Sequence, residues 1–190
     1  MTASAVKTHA PSRTRSIAFC GLSIALMAVS AWISVPFGPV PFTLQTFVMV
    51  FALLVLTPRE CLIAIGGYLL IGAIGLPVFS SMRGGIGVLA GPTGGFLWGF
   101  LIGAVAALVF IHFTKSIAEQ GGKKALAINL GAAVIFMAIT YLIGWGQLMV
   151  VAAMGPVAAF GVAIAPFLLI DAVKVVVAVA VASAVKKAVR

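Results

Sequence analysis

The sequence predicts an all-α membrane protein with six transmembrane helices and both termini in the cytoplasm. Two observations carry this expectation. Apolar residues make up 63% of the 190 residues and charged ones only 8%, with a mean hydropathy of +1.28. A soluble domain has roughly 25% charged residues, and no core absorbs this much apolar surface without lipid around it. The second observation is the placement of the basic residues. Lys7, Arg13 and Arg15, then Arg59, then Lys115, Lys123 and Lys124, then Lys186, Lys187 and Arg190 fall in clusters separated by pairs of apolar segments. Only Arg83 falls between the members of a pair, so the positive-inside rule puts the clusters on one cytoplasmic face.

The apolar segments run over about 16–35, 43–57, 61–76, 94–114, 125–147 and 160–185. The first ends on Trp32-Ile33-Ser34-Val35-Pro36, too bulky for a signal-peptide cleavage site, and reads as a retained helix. The second and third fall short of the roughly 20 residues of a full crossing. They require tilt or a thinned bilayer, or else Pro41–Leu76 is a re-entrant pair; six crossings is the preferred reading. Thr93 stands where it would cap the fourth segment. Residues 1–15 read as a mobile basic tail and 16–190 as one transmembrane domain. The outward connections are Pro36–Phe42, Pro77–Pro92 and about Val150–Ala159. The middle one is rich in glycine yet apolar, so it is expected to fold back onto the bundle, where glycine permits close approach to helices or ligand.

Composition also excludes functions. The net charge of +9 reflects a scarcity of acids, with only Glu60, Glu119 and Asp171, and the bases serve topology and lipid headgroups. No basic face is interleaved with aromatics, so nucleic acid is not expected as a partner. Cys20 and Cys61 read as small packing residues in a reducing compartment. His9 and His112 have no carboxylate or cysteine at a motif spacing, and no metal ligand set, paired carboxylate or phosphate loop is present. An enzyme, a resident cofactor and a metal are therefore not expected, and energy for any transport must come from a partner or a gradient.

Asp171 and Lys174 stand out inside the run PFLLIDAVKVVVAVAVASAV. A charge at mid-helix in a membrane costs about 2.5–3.5 kcal/mol on insertion scales, so such residues face an interior cavity. At i, i+3 they share a helical face and partly neutralise one another. One reading is a self-satisfied pair; the other is a binding site in which Lys174 meets a substrate carboxylate while Asp171 holds it or accepts from N–H groups. Thr43 and Gln45 at the start of the second segment either bind a polar substrate or bond across helices. Arg83 either contacts headgroups or closes over an anionic substrate. Tyr141 and Trp145 suit an interfacial belt, with Tyr141 also a site candidate, and Asn129 and Gln147 are weaker ones. Ala18, Gly21 and Ala25 in the first segment allow close helix approach, within the bundle or to a second membrane subunit.

The stretches VPFTLQTF (40–47), GAIGLPVF (72–79) and GGIGVLAGPTGGF (84–96), with Asp171-x-x-Lys174, resemble the BioY family across most of the chain. These are biotin-specific S components of energy-coupling-factor vitamin transporters. The resemblance implies the S-component fold in the bacterial inner membrane and high-affinity biotin binding from outside. It also implies a transmembrane coupling subunit and two ATPase subunits as partners, or else a solitary biotin permease. The resemblance carries the family's acid–lysine pair over to Asp171 and Lys174 and its glycine-rich outward loop to Gly84–Gly95; taken with the residue readings, the expected substrate contacts are Lys174, Asp171, Arg83, Gln45, Thr43, Phe79, Gly91, Thr93 and Tyr141. The family's helix-one alanine motif is replaced here by Gly21-xxx-Ala25, next to Ala18. The sequence leaves a homo-oligomer open.

Overall fold

The structure, a computed structural model, describes residues 13–36 and 38–188. Lys7, His9 and Arg190 lie outside the described residues, as does most of the expected N-terminal tail. The first helix, α1 (Arg13–Trp32), begins three residues earlier than expected, so Arg13 and Arg15 belong to its first turn.

Two short strands follow, with β1 (Ser34–Val35) antiparallel to β2 (Phe42–Thr43) in a hairpin. The second expected segment therefore starts as strand, and its helix α2 covers only Gln45–Val55. α3 (Pro58–Ala73) begins sharply because Thr57 and Glu60 form a reciprocal capping box with proline in the first turn. Glu60 also accepts from the Ser16 hydroxyl at 2.6 Å, tying the start of α1 to the start of α3. At the other end, Trp32 Nε1 donates to the Pro77 carbonyl at 2.7 Å.

The glycine-rich connection folds back as expected. It contains a 3-10 turn at Ser80–Met82 and a short helix α4 (Ile86–Ala90). Gly85 N–H donates to Gly72 O at 2.7 Å, and the fully buried Phe79 ring lies over Gly72. A Cβ at Gly72 would stand 2.1 Å from that ring, so only glycine admits it.

α5 (Gly94–Phe113) starts after Thr93, but Thr93 makes no side-chain capping bond, contrary to the sequence expectation. Its backbone there is already helical, which turns the hydroxyl away from the first-turn amides. A short α6 (Lys115–Ala118) leads to α7 (Gly122–Val151), longer than the expected 125–147. α5 and α7 form the most intimate pair in the bundle, because Gly95, Gly99 and Gly103 bring α5 against the α7 backbone.

The expected last helix, 160–185, is two helices: α8 (Pro156–Ala163) and α9 (Leu168–Ala188). Pro166 stands in the break, where its missing N–H and ring prevent a continuous helix. Among the described residues α1, α5, α7 and α9 are long and apolar enough to cross a membrane. α2 and α3, with 11 and 16 residues, measure about 16 Å and 24 Å at 1.5 Å per residue, short of the ~30 Å hydrocarbon core. The protein is a multi-pass integral membrane protein, and its two buried clusters join all the long helices.

Candidate functional site

The break before α9 changes the energetics of Asp171. The carboxylate lies in the first turn of α9, not at mid-helix, where the positive end of the helix dipole favours negative charge by about 0.3–1 kcal/mol. Asp171 and Lys174 are both buried, at 5% and 8% exposure, and their side chains meet at 2.8 Å. Thr46 Oγ1 donates to Asp171 Oδ1 at 3.0 Å, and the Tyr141 hydroxyl donates to Oδ2. A carboxylate offers about four acceptor positions, and three are taken here. Lys174 Nζ donates to Asp171 and, at 2.6 Å, to the Thr43 carbonyl. For its third proton the nearest hydrogen-bond acceptor is Thr46 Oγ1 at 3.5 Å, a poor hydrogen bond. The ammonium also lies 3.8 Å from the centre of the Phe42 ring, which stacks on Phe167.

Around this pair is a cavity of about 640 Å³, counted out to its open mouth. The hairpin contributes Val40, Pro41 and Thr43, and α2 contributes Gln45 and Thr46. Phe79 and Ser80 come from the folded-back connection, Phe96 and Phe100 from α5, and Tyr141 from α7. The walls are thus aromatic, with polar groups converging from α2, α7 and α9. Among the described residues lining it, Asp171 and Lys174 are the only charged ones, and formally they cancel.

Seven of the nine residues expected at a binding site line this cavity: Lys174, Asp171, Gln45, Thr43, Phe79, Thr93 and Tyr141. Tyr141 therefore points inward and is not a belt residue, whereas Trp145 Nε1 donates to the Pro156 carbonyl. Arg83 and Gly91 are not among the lining residues. Arg83 is exposed, its Nε donating to Ser80 O at 3.3 Å on the connection that carries Phe79. The Gly91 carbonyl accepts from Gln147 Nε2 at 2.8 Å, pinning the connection to α7. Ala18, Gly21 and Ala25 are exposed, and a Cβ on Gly21 would meet nothing within 4 Å; they do not pack inside the bundle. Sequence reasoning missed Thr46, although the polar-residue argument that selected Gln45 applies to it equally. It also missed Phe42, Phe96 and Phe167, which no spacing distinguishes from lipid-facing aromatics.

The described residues enclose a polar-floored, aromatic-walled cavity in a helical membrane bundle, a binding site suited to a small solute. The BioY family model matches residues 2–190, and the chain belongs to the BioY family. It is 39% identical over 173 residues to "Biotin transporter BioY" of Thermotoga maritima, spanning 91% of this chain and 96% of that protein. It is 36% identical over 170 residues to "Probable biotin transporter BioY" of Pyrococcus horikoshii, spanning 90% and 95%. In fold it is similar to the crystal structure of the S-component for biotin from an ECF-type ABC transporter. The TM-score there is 0.80 over 92% of each chain, at 24% identity.

Proposed function

We propose that this protein binds biotin from outside a bacterial cell and passes it through the cytoplasmic membrane, as the substrate-specific subunit of an energy-coupling-factor transporter. The observation that carries the reading is the state of the Asp171–Lys174 pair. It offers one unused acceptor position and one poorly held proton, and the formal charges of the pair cancel. A cyclic urea presents an N–H beside a C=O and has no charge, so it engages both without disturbing that balance. A carboxylate placed there would bring an uncompensated charge into the membrane. Biotin therefore enters ureido head first, with its thioether ring and chain against Phe79, Phe96 and Phe100. Its carboxylate stays towards the mouth, on the side of Arg83. The polar pair is bonded to Thr43 and Thr46, and the carriers named among its relatives support the choice of ligand.

Six crossings with both termini cytoplasmic complete the proposal. α2 and α3 are the short crossings, joined through Leu56 and Thr57 with Arg59 in the first turn of α3, and the hairpin and folded-back connection make up their length on the outer side. The cavity gathers the starts of α2, α5 and α9, so the basic residues after these helices lie at the opposite end. The exposed Ala18, Gly21 and Ala25 face of α1 is the proposed docking surface for a transmembrane coupling subunit, with two ATPase subunits beyond it.

The test is calorimetric titration of the purified chain with biotin and with biotin methyl ester. The ester is expected to bind within about tenfold of biotin, because the carboxylate is at the mouth and Lys174 is not its partner. Loss of ester binding with strong dependence on Lys174 reverses the orientation. Absence of biotin binding overturns the function.

A further inference from the structure

Behind the cavity wall lies a hydrogen-bond chain that the proposed site does not use. The Tyr68 hydroxyl is fully buried and donates its one proton to the Val78 carbonyl at 3.0 Å. With that proton committed, the phenolic oxygen is left only to accept, and Gln45 Nε2 donates to it at 2.9 Å. The reverse amide orientation would set Gln45 Oε1 against an oxygen with no proton to give. The chain therefore decides which end of the amide faces where. No other described residue donates to Gln45 Oε1, and no buried polar side-chain atom among the described residues lacks a partner. Oε1 is thus not sealed in protein, and Gln45 lines the cavity.

We infer that Tyr68 is a positioning residue that turns Gln45 Oε1 towards the cavity as an acceptor, so that the site selects a ligand with a second N–H donor. This rests on the biotin reading, in which one ureido N–H meets Asp171, and it gives the other N–H to Gln45. Val78 precedes Phe79, so the same hydroxyl also fixes the segment that supplies a cavity wall. Its ring packs edge-on to Phe79 at 5.5 Å, a contact that Tyr68→Phe keeps while removing both hydrogen bonds.

The experiment titrates wild type, Tyr68→Phe, Gln45→Ala and the double variant with biotin and with biotin methylated on either ureido nitrogen. In the wild type both methyl groups weaken binding. Tyr68→Phe is expected to weaken biotin about three- to tenfold, the size of one neutral hydrogen bond, and to abolish the penalty of one methyl group but not the other. Gln45→Ala should abolish the same penalty, and adding Tyr68→Phe to it should change nothing further. Retention of both penalties in Tyr68→Phe, or full additivity in the double variant, overturns the inference. If Tyr68→Phe does not fold, Gln45→Ala decides: both penalties kept overturns it, one lost supports it. A wild type that does not bind biotin overturns the transport reading and this inference together, whereas biotin binding with both penalties kept overturns this inference alone.

Discussion

Asp171 and Lys174 depend on each other more than on anything else in the site. Removing one member of a buried pair leaves a charge without its partner and costs about 3–5 kcal/mol. Lys174→Met should therefore lower the apparent melting temperature in detergent markedly. Asp171→Asn with Lys174→Met should recover much of that loss while still binding biotin far more weakly than wild type. A double variant no more stable than the single one would mean that Thr46 and Tyr141 hold the aspartate unaided. The pair was legible in the sequence because two charges in an apolar run demand an explanation. Phe42 and Phe167 were not, because an aromatic in such a run looks the same whether it faces lipid or ligand. Their role follows from the hairpin and the Pro166 break, which periodicity does not disclose.

At the scale of elements, small residues do opposite things in α1 and α5. A Cβ at Gly99 would sit 2.7 Å from the Thr140 Cα, a backbone atom with no room to yield. Gly99→Ala is expected to push α5 from α7 and cost about 1–3 kcal/mol, read as a lower melting temperature. Gly21→Ala, with nothing within 4 Å, should leave stability unchanged and instead test the docking face, through co-purification with a coupling subunit. Sequence pointed to the α1 stripe and passed over Gly95-xxx-Gly99-xxx-Gly103, which has the same spacing. Spacing says only that a helix can be approached; which neighbour approaches is decided by the whole bundle. The other elements read well where proline, glycine and charge punctuate them. They read badly at the 42–45 strand-to-helix change and at the α8–α9 break, where the chain stays apolar across the boundary.

For the whole molecule, orientation and energy coupling are separable. Cys20 and Cys61 are both buried, so a cysteine introduced at the exposed Gly122 or Met82 would report alone to a membrane-impermeant maleimide. In intact spheroplasts Met82→Cys should label and Gly122→Cys should not; the opposite pattern inverts the topology. Uptake into vesicles that contain this chain without ATPases distinguishes a solitary permease from a subunit that needs partners. An even number of crossings is the expectation that the basic clusters supply, and the shortness of α2 and α3 was legible in the length of their apolar runs.

The most direct test of the central claim is calorimetric titration of biotin into the purified chain alone, with lipoate and thiamine as controls. Saturable binding of biotin that both controls fail to match, and that Lys174→Met abolishes in a folded sample, is the predicted result. A folded chain that binds no biotin, or binds it equally well without Lys174, would contradict it.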